Sequence, residues 1–354
     1  MKSKIVHIMH NDKFNSEYIN FINQNFNPND HLFIFVADVV GELFPIPQLP
    51  NVIKLFCSRR RFYRYLLLAY YCIQADKIIL HGLFVDYIIR FLYINRYLLK
   101  KCYWVIWGGD LYDDLQLDII KTRKQVQFTE LKKLVISKMN SFITYLKEDY
   151  NLAKEYYSSK AEYKECIMYL SNLFNAKAEY NKKNDTLVIL VGNSATDTNN
   201  HYEVFNKILA ENLDNYKILC PLNYGDKNYA AKVVELGTKL FGDKFEPLLD
   251  FIPLEQYTKL LSTVDVAIFN HNRQQGMGNI INLLGMGKLI YIRNDITTWN
   301  LLEHLNLKVY ATNKNLMIRH TIKNNNYSET NKVLIKNYFN KNTLYSQWEN
   351  IFDT

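Results

Sequence analysis

No Cys-x-x-Cys and no close cysteine–histidine pairing occurs in this sequence. Its five cysteines, Cys57, Cys72, Cys102, Cys166 and Cys220, are odd in number and widely spaced. That excludes a structural zinc pattern and a disulfide framework, and predicts reduced core thiols in a cytoplasm. The longest apolar run, 65–73, is bounded by Arg64 and Gln74 and is too short to span a bilayer. The opening residues enter a strand-like run without the basic region, apolar core and cleavage site of a secretory signal. A soluble or peripheral protein is expected. No Asp-x-Asp or His/Asp cluster suggests a divalent metal, and no nucleic-acid-binding motif is found.

What is present favours a large folded protein. Apolar residues make up 48% and aromatics 14%, with 27 tyrosines, so the chain has ample material for cores and global disorder is excluded. At 354 residues it should hold two domains, taking about 150 residues for each. Against 35 acidic residues stand 43 basic ones, a net charge of +8. That balance points to an acidic partner such as a nucleotide, a phosphate or an anionic membrane.

Along the chain, strand-like and helical patterns alternate. Strands are expected at 5–9, 32–36, 52–56, 77–80, 103–106, 141–145 and 166–170. Helices are expected at 14–26, 59–73, 83–99, 119–139 and 148–157. The apolar pattern lapses over 175–185, read as a linker, and the alternation then restarts at 186. The tail 331–351 reads as one final helix. Such alternation predicts an α/β protein of two doubly wound, Rossmann-like βαβ domains facing across a cleft, with ligands outside the carboxyl ends of the strands.

The most informative stretch follows the strand ending at Phe269. A polar loop holds His271, Arg273, Gln274 and Gln275, and then Gly276 and Gly278 open an apolar helix. Free N–H groups and the helix dipole at such a junction favour a diphosphate, and Arg273 adds a planar cationic fork. Ile281 fills the third glycine position of the dinucleotide fingerprint, so a Rossmann dehydrogenase is disfavoured. Gly192, Asn193 and Ser194 form a second glycine turn, read either as phosphate donors or as an ordinary helix cap.

In the first half, Trp107-Gly-Gly-Asp-Leu-Tyr follows a strand, and Asp110 is a candidate general base; its competing reading is a helix cap. His81, ending the neighbouring strand, is the rival base. Arg59, Arg60, Arg61 and Arg64 are interleaved with aromatics, which suits an anionic membrane face.

His81-Gly82, Trp107-Gly-Gly-Asp-Leu-Tyr112, Leu190-Val-Gly-Asn-Ser194, Pro221 to Tyr224 and Arg273-Gln-Gln-Gly-x-Gly278 resemble glycosyltransferase family 56. The resemblance implies a GT-B fold and a metal-independent site with no cofactor. It implies transfer of 4-acetamido-4,6-dideoxygalactose (Fuc4NAc) from a dTDP-sugar to a polyprenyl-diphosphate glycan. It also implies a cytoplasmic enzyme, peripheral on the inner face of the inner membrane. Carried over by motif, Arg273, Gln274, Gln275, Gly276, Gly278 and Asn279 would grip the diphosphate and sugar. Gly192, Asn193, Ser194, Pro221 and Tyr224 would line the nucleotide. Asp110 or His81 would be the base, and Trp107 with the arginines would face the acceptor and membrane. The domains would be 1–175, 186–325 and a returning helix at 326–354. Two other readings stay open, a sugar-nucleotide 2-epimerase and a non-catalytic membrane-associated scaffold.

Overall fold

A computed structural model describes residues 4–38, 44–57, 60–115, 122–175 and 185–354. The chain forms two compact units, Met1–Ser171 with Lys341–Thr354, and Asn172–Asn340.

The first unit is built on strands β1 (Ile5–Asn11), β2 (His31–Asp38), β3 (Val52–Lys54), β4 (Lys77–His81), β5 (Cys102–Val105), β6 (Ser141–Ile143) and β7 (Glu162–Lys164). They lie in the order 3-2-1-4-5-6-7, and every pairing is parallel. Buried Val6, Ile8, Ile34, Leu80, Trp104 and Phe142 belong to the core that the crossover helices cover. A strand buried on both faces is apolar along most of its length, as Cys102–Val105 is.

The second unit contains β8 (Leu187–Val191), β9 (Tyr216–Pro221), β10 (Phe245–Leu248), β11 (Val266–Phe269), β12 (Leu289–Ile292) and β13 (Tyr310–Ala311). Their order is 10-9-8-11-12-13, again all parallel. The order reverses between β8 and β11. Loops leaving these two strands at their carboxyl ends therefore diverge and leave a crevice, where ligands of open α/β sheets sit.

Three segments differ from the sequence reading. Residues 166–170 were expected as a strand, but the last strand of the first sheet is Glu162–Lys164. Met168 takes a φ of 73°, which no strand accommodates. The apolar run is buried instead beneath the helix Lys341–Asp353, where the Trp348 indole N–H donates to the Met168 carbonyl at 3.0 Å. The Gln347 side chain accepts from the Ile167 amide at 2.8 Å. The expected helix 83–99 stops at Ile94 and continues as a 3-10 turn, Arg96–Lys101. The tail is two helices, Ser328–Tyr338 and Lys341–Asp353. The first of them belongs to the second unit, which runs to Asn340 rather than 325. Ser328 donates to the Gly287 carbonyl at 2.9 Å, and the Asn331 amide pairs with both the N–H and the carbonyl of Lys308. Of the expected linker, 176–184 lies outside the described residues.

Candidate functional site

In the second unit the loops after β8 and β11 are knitted together. Gly192 has a φ of 69°, and a Cβ there would meet the His201 ring nitrogen at 2.7 Å and the Asn199 carbonyl oxygen at 2.8 Å. Glycine is the residue that fits both restrictions. Asn199 accepts from the Asn193 amide at 2.9 Å, while Asn200 donates to the Asn270 carbonyl at 2.7 Å. The Asn272 amide donates to the Thr198 carbonyl at 2.9 Å.

Gln275 bridges the two loops. Its carbonyl oxygen accepts from the Thr198 hydroxyl at 2.8 Å, and its amide donates to Asn193 at 3.0 Å. Gly276 follows in the left-handed region and starts the helix Met277–Gly285. A Cβ on Gly276 would come to 3.2 Å from both Asn193 and His271. The amides of Asn279 and Ile280 both turn back to the Gly276 carbonyl. The amides before them, Met277 and Gly278, belong to the first turn, which has no intrahelical acceptor. Arg273 lies partly buried beside this start, with one guanidinium nitrogen donating to the Gln274 carbonyl at 3.2 Å. Asn279 donates to the Tyr257 hydroxyl at 3.0 Å. Beneath them His271 is fully buried. Burial first, then the charges of His201 and Arg273, pull its pKa down to about 3, so the ring is a neutral support.

Two expected donor residues turn inward. Ser194 is buried, bonded to Thr196 and Asn199, because it closes the loop on itself. Pro221 is the buried end of β9, paired with Leu248. Tyr224 is strongly exposed, and its carbonyl accepts from the Ala195 amide, which places it against the Gly192 loop. Leu249 and Phe251, just past β10, are exposed at the same edge. The sequence reading missed them. Their signal was an apolar pair lying beyond the strand's end.

The first unit requires larger corrections. Asp110 does not project outward. It is 2% exposed, and its Oδ2 accepts from the Leu83 amide at 3.0 Å and the Trp104 indole N–H at 2.7 Å. Its Oδ1 accepts from the Trp107 amide at 3.0 Å. Burial raises its pKa, opposed by Lys132 and these bonds. The glycines of Trp107-Gly-Gly-Asp let the chain fold back so that the carboxylate ties three segments, which occupies both of its oxygens.

His81 is likewise fully buried, as part of a polar chain. The Trp107 indole lies 2.9 Å from the Tyr169 hydroxyl oxygen, which lies 2.6 Å from His81 Nδ1. His81 Nε2 meets His7 Nδ1 at 3.1 Å, and His7 Nε2 meets His31 Nδ1 at 3.1 Å. An indole N–H can only donate. The Tyr169 hydroxyl that accepts from it keeps a proton and a lone pair for His81, and the Tyr18 hydroxyl lies 3.4 Å from His7 Nδ1. The chain is thus satisfied by more than one set of tautomers, and its first bond holds the Trp107 ring.

All three histidines are held neutral, chiefly by burial, with His31 near 4 and His81 near 3. Depressed histidine pKa values contribute stability that is present above about 6.5 and lost as pH falls towards the folded values. Each such histidine removes up to about 1.4 kcal/mol per pH unit in that window. The thermal transition is therefore expected to drop steeply between pH 6.5 and pH 4.5. A midpoint constant over that range, followed by circular dichroism, would contradict the buried neutral chain.

At the carboxyl end of β1 stands a group the sequence reading overlooked. The His10 ring packs 4.9 Å from Trp107 and 5.2 Å from Phe84. Burial lowers its pKa while Asp12 raises it. The signal was His-Asn-Asp directly after a strand. Arg60 is exposed and Arg64 half-buried. Arg59 lies outside the described residues, and of Arg61 only the backbone is described.

The profile of a family described as "4-alpha-L-fucosyltransferase glycosyl transferase group 56" matches residues 2–353. The chain belongs to glycosyltransferase family 56. It is a glycosyltransferase, and its fold is shared by solved structures of very low identity. Anabaena HepE in complex with UDP and glucose aligns with a TM-score of 0.72 at 10% identity, covering 99% of each chain. Sucrose-phosphate synthase from Thermosynechococcus elongatus gives 0.68 at 11%, over 99% of this chain and 98% of that one. A glycosyltransferase from Rickettsia africae gives 0.68 at 13%, over 99% and 98%. Together with the two parallel sheets, these likenesses make the family 56 fold GT-B.

Proposed function

We propose that this family 56 enzyme transfers 4-acetamido-4,6-dideoxygalactose from a dTDP-sugar to a polyprenyl-diphosphate-linked glycan in bacterial surface polysaccharide synthesis. The observation carrying the donor half is the junction at Gly276. Arg273, the first-turn amides and the Asn193–Gln275 bridge gather donors at one sheet edge, suited to a diphosphate. A nucleotide donor is also supported by the UDP and glucose carried by HepE. The family description names a fucosyl group, and Fuc4NAc has the same 6-deoxygalactose skeleton.

In this reading Arg273 and the amides of Met277 and Gly278 take up the charge that develops on the departing diphosphate, without a metal. The exposed rings of Tyr224 and Phe251 offer stacking surfaces to the nucleobase. The first unit receives the acceptor. There His10, held neutral by burial and backed by Asp12, replaces Asp110 and His81 as the group that takes the hydroxyl proton. The enzyme works peripherally on the cytoplasmic face of the inner membrane. Among the described residues no helix is long and apolar enough to cross a membrane, which fits that placement.

Thermal-shift measurements with dTDP, UDP, GDP and CDP test the donor. A nucleotide at about 100 times its dissociation constant adds roughly 2.7 kcal/mol to the folded state, a shift of several degrees. dTDP alone is expected to produce it. A shift with UDP or GDP instead would replace the donor, and no shift with any of the four would remove the Gly276 site.

A further inference from the structure

The helix Arg61–Gln74 in the first unit is unlike an ordinary solvent-facing helix. Phe62 is 74% exposed and Tyr70 56%, and Tyr63, Leu66 and Ile73 are exposed too. At about 100° per residue these positions fall in a single arc about 100° wide, while Leu68 and Cys72 are buried in the core. The stripe continues onto the next segment. The Asn95 amide donates to the Tyr65 hydroxyl at 2.8 Å, and Lys101 donates to the Ile73 and Ala75 carbonyls. These bonds hold exposed Ile94 and Tyr97 beside the helix.

Within the segments that carry this stripe the charge has one sign. No Asp or Glu occurs between residues 55 and 75 or between 87 and 109. Arg60 caps the helix start, Arg64 lies in its first turn, and the first turn contains no acid. Cations at a helix N-terminus oppose the macrodipole. A cost of that kind, next to exposed apolar surface, marks a binding face.

We propose that this face docks on an anionic bilayer, with the helix Arg61–Gln74 lying in the interfacial plane. The aromatic and aliphatic stripe enters the headgroup boundary, where tyrosine's apolar ring and polar tip are both accommodated, and the arginines meet lipid phosphates. A symmetric dimer through this face would set the same arginines against each other, so the bilayer is the better partner. The inference deepens the lipid-linked acceptor reading but fails separately from it, because vesicle binding needs neither sugar donor nor glycan.

The test is flotation of the full chain with vesicles of phosphatidylcholine alone, or with roughly a third phosphatidylglycerol. The wild-type chain is expected on the anionic vesicles only. Combined Phe62→Ser, Leu66→Ser, Tyr70→Ser and Ile73→Ser should weaken that binding by at least about tenfold. All four side chains are exposed, so the thermal transition should be retained. Arg60→Glu with Arg64→Glu should weaken it comparably and remove the anionic preference. Failure of the wild type to float, or wild-type binding by the serine variant, would overturn the proposal. So would conversion of a wild-type dimer to a monomer by the serine substitutions in sedimentation.

Discussion

Arg273→Ala is expected to lower turnover of the nucleotide-sugar by about 10²–10³, the usual loss when one preorganised donor to a developing anion is removed. The reasoning is positional. Arg273 stands three residues before Gly276, whose left-handed conformation turns the chain into the helix Met277–Gly285. Its guanidinium, steadied by the Gln274 carbonyl, supplies a full positive charge where the amides supply only partial ones. Affinity for the free nucleoside diphosphate should fall as well, because that product carries the charge the site is built to receive. Arg273→Lys should recover only part of the loss, since an ammonium replaces a planar fork by a point charge. Isothermal titration with dTDP and a donor-turnover assay, run on the same preparations, give both quantities. Unchanged affinity and turnover in the alanine variant would take Arg273 out of the site.

How much of this was legible in the sequence depended on which interactions decide each feature. The two βα halves could be read, because strands buried on both faces leave apolar runs such as Leu187–Val191 and Val266–Phe269. The Gly276 junction could be read because glycine, helix start and cation are adjacent in the chain. Long-range partners were not legible. Nothing local shows that Ser194 turns towards Asn199, or that Trp348 covers 166–170 and so keeps an apolar run out of the sheet. The break at Phe339-Asn340 was hidden because both flanking segments have helical periodicity, and what separates them is packing of each on a different unit. His10 was passed over for a similar reason. Its meaning comes from Trp107 and Phe84, which lie more than seventy residues away in the chain.

Asp110 shows the same problem most sharply, and it carries the second large prediction. Two glycines and an aspartate after a strand look like a carboxylate raised into solvent, yet the fold uses that flexibility to bury it. Its oxygens accept from the Leu83 amide, the Trp104 indole and the Trp107 amide. Its own carbonyl accepts from Lys132 at 2.9 Å. Asp110→Ala would strand two buried donors and a partly buried one, each costing about 1–3 kcal/mol. A loss of about 3–9 kcal/mol follows, a large share of the roughly 5–15 kcal/mol typical of a folded domain. Asp110→Asn should be intermediate, because an amide can accept on one side but must present N–H to a donor on the other. Denaturant titration of both variants, read with tryptophan fluorescence, separates this from a catalytic role. If Asp110→Asn kept wild-type stability but lost turnover, the carboxylate would be the base after all. If it loses stability in proportion to its broken bonds, Asp110 is the knot that holds Trp107 at the sheet edge, and proton transfer falls to His10.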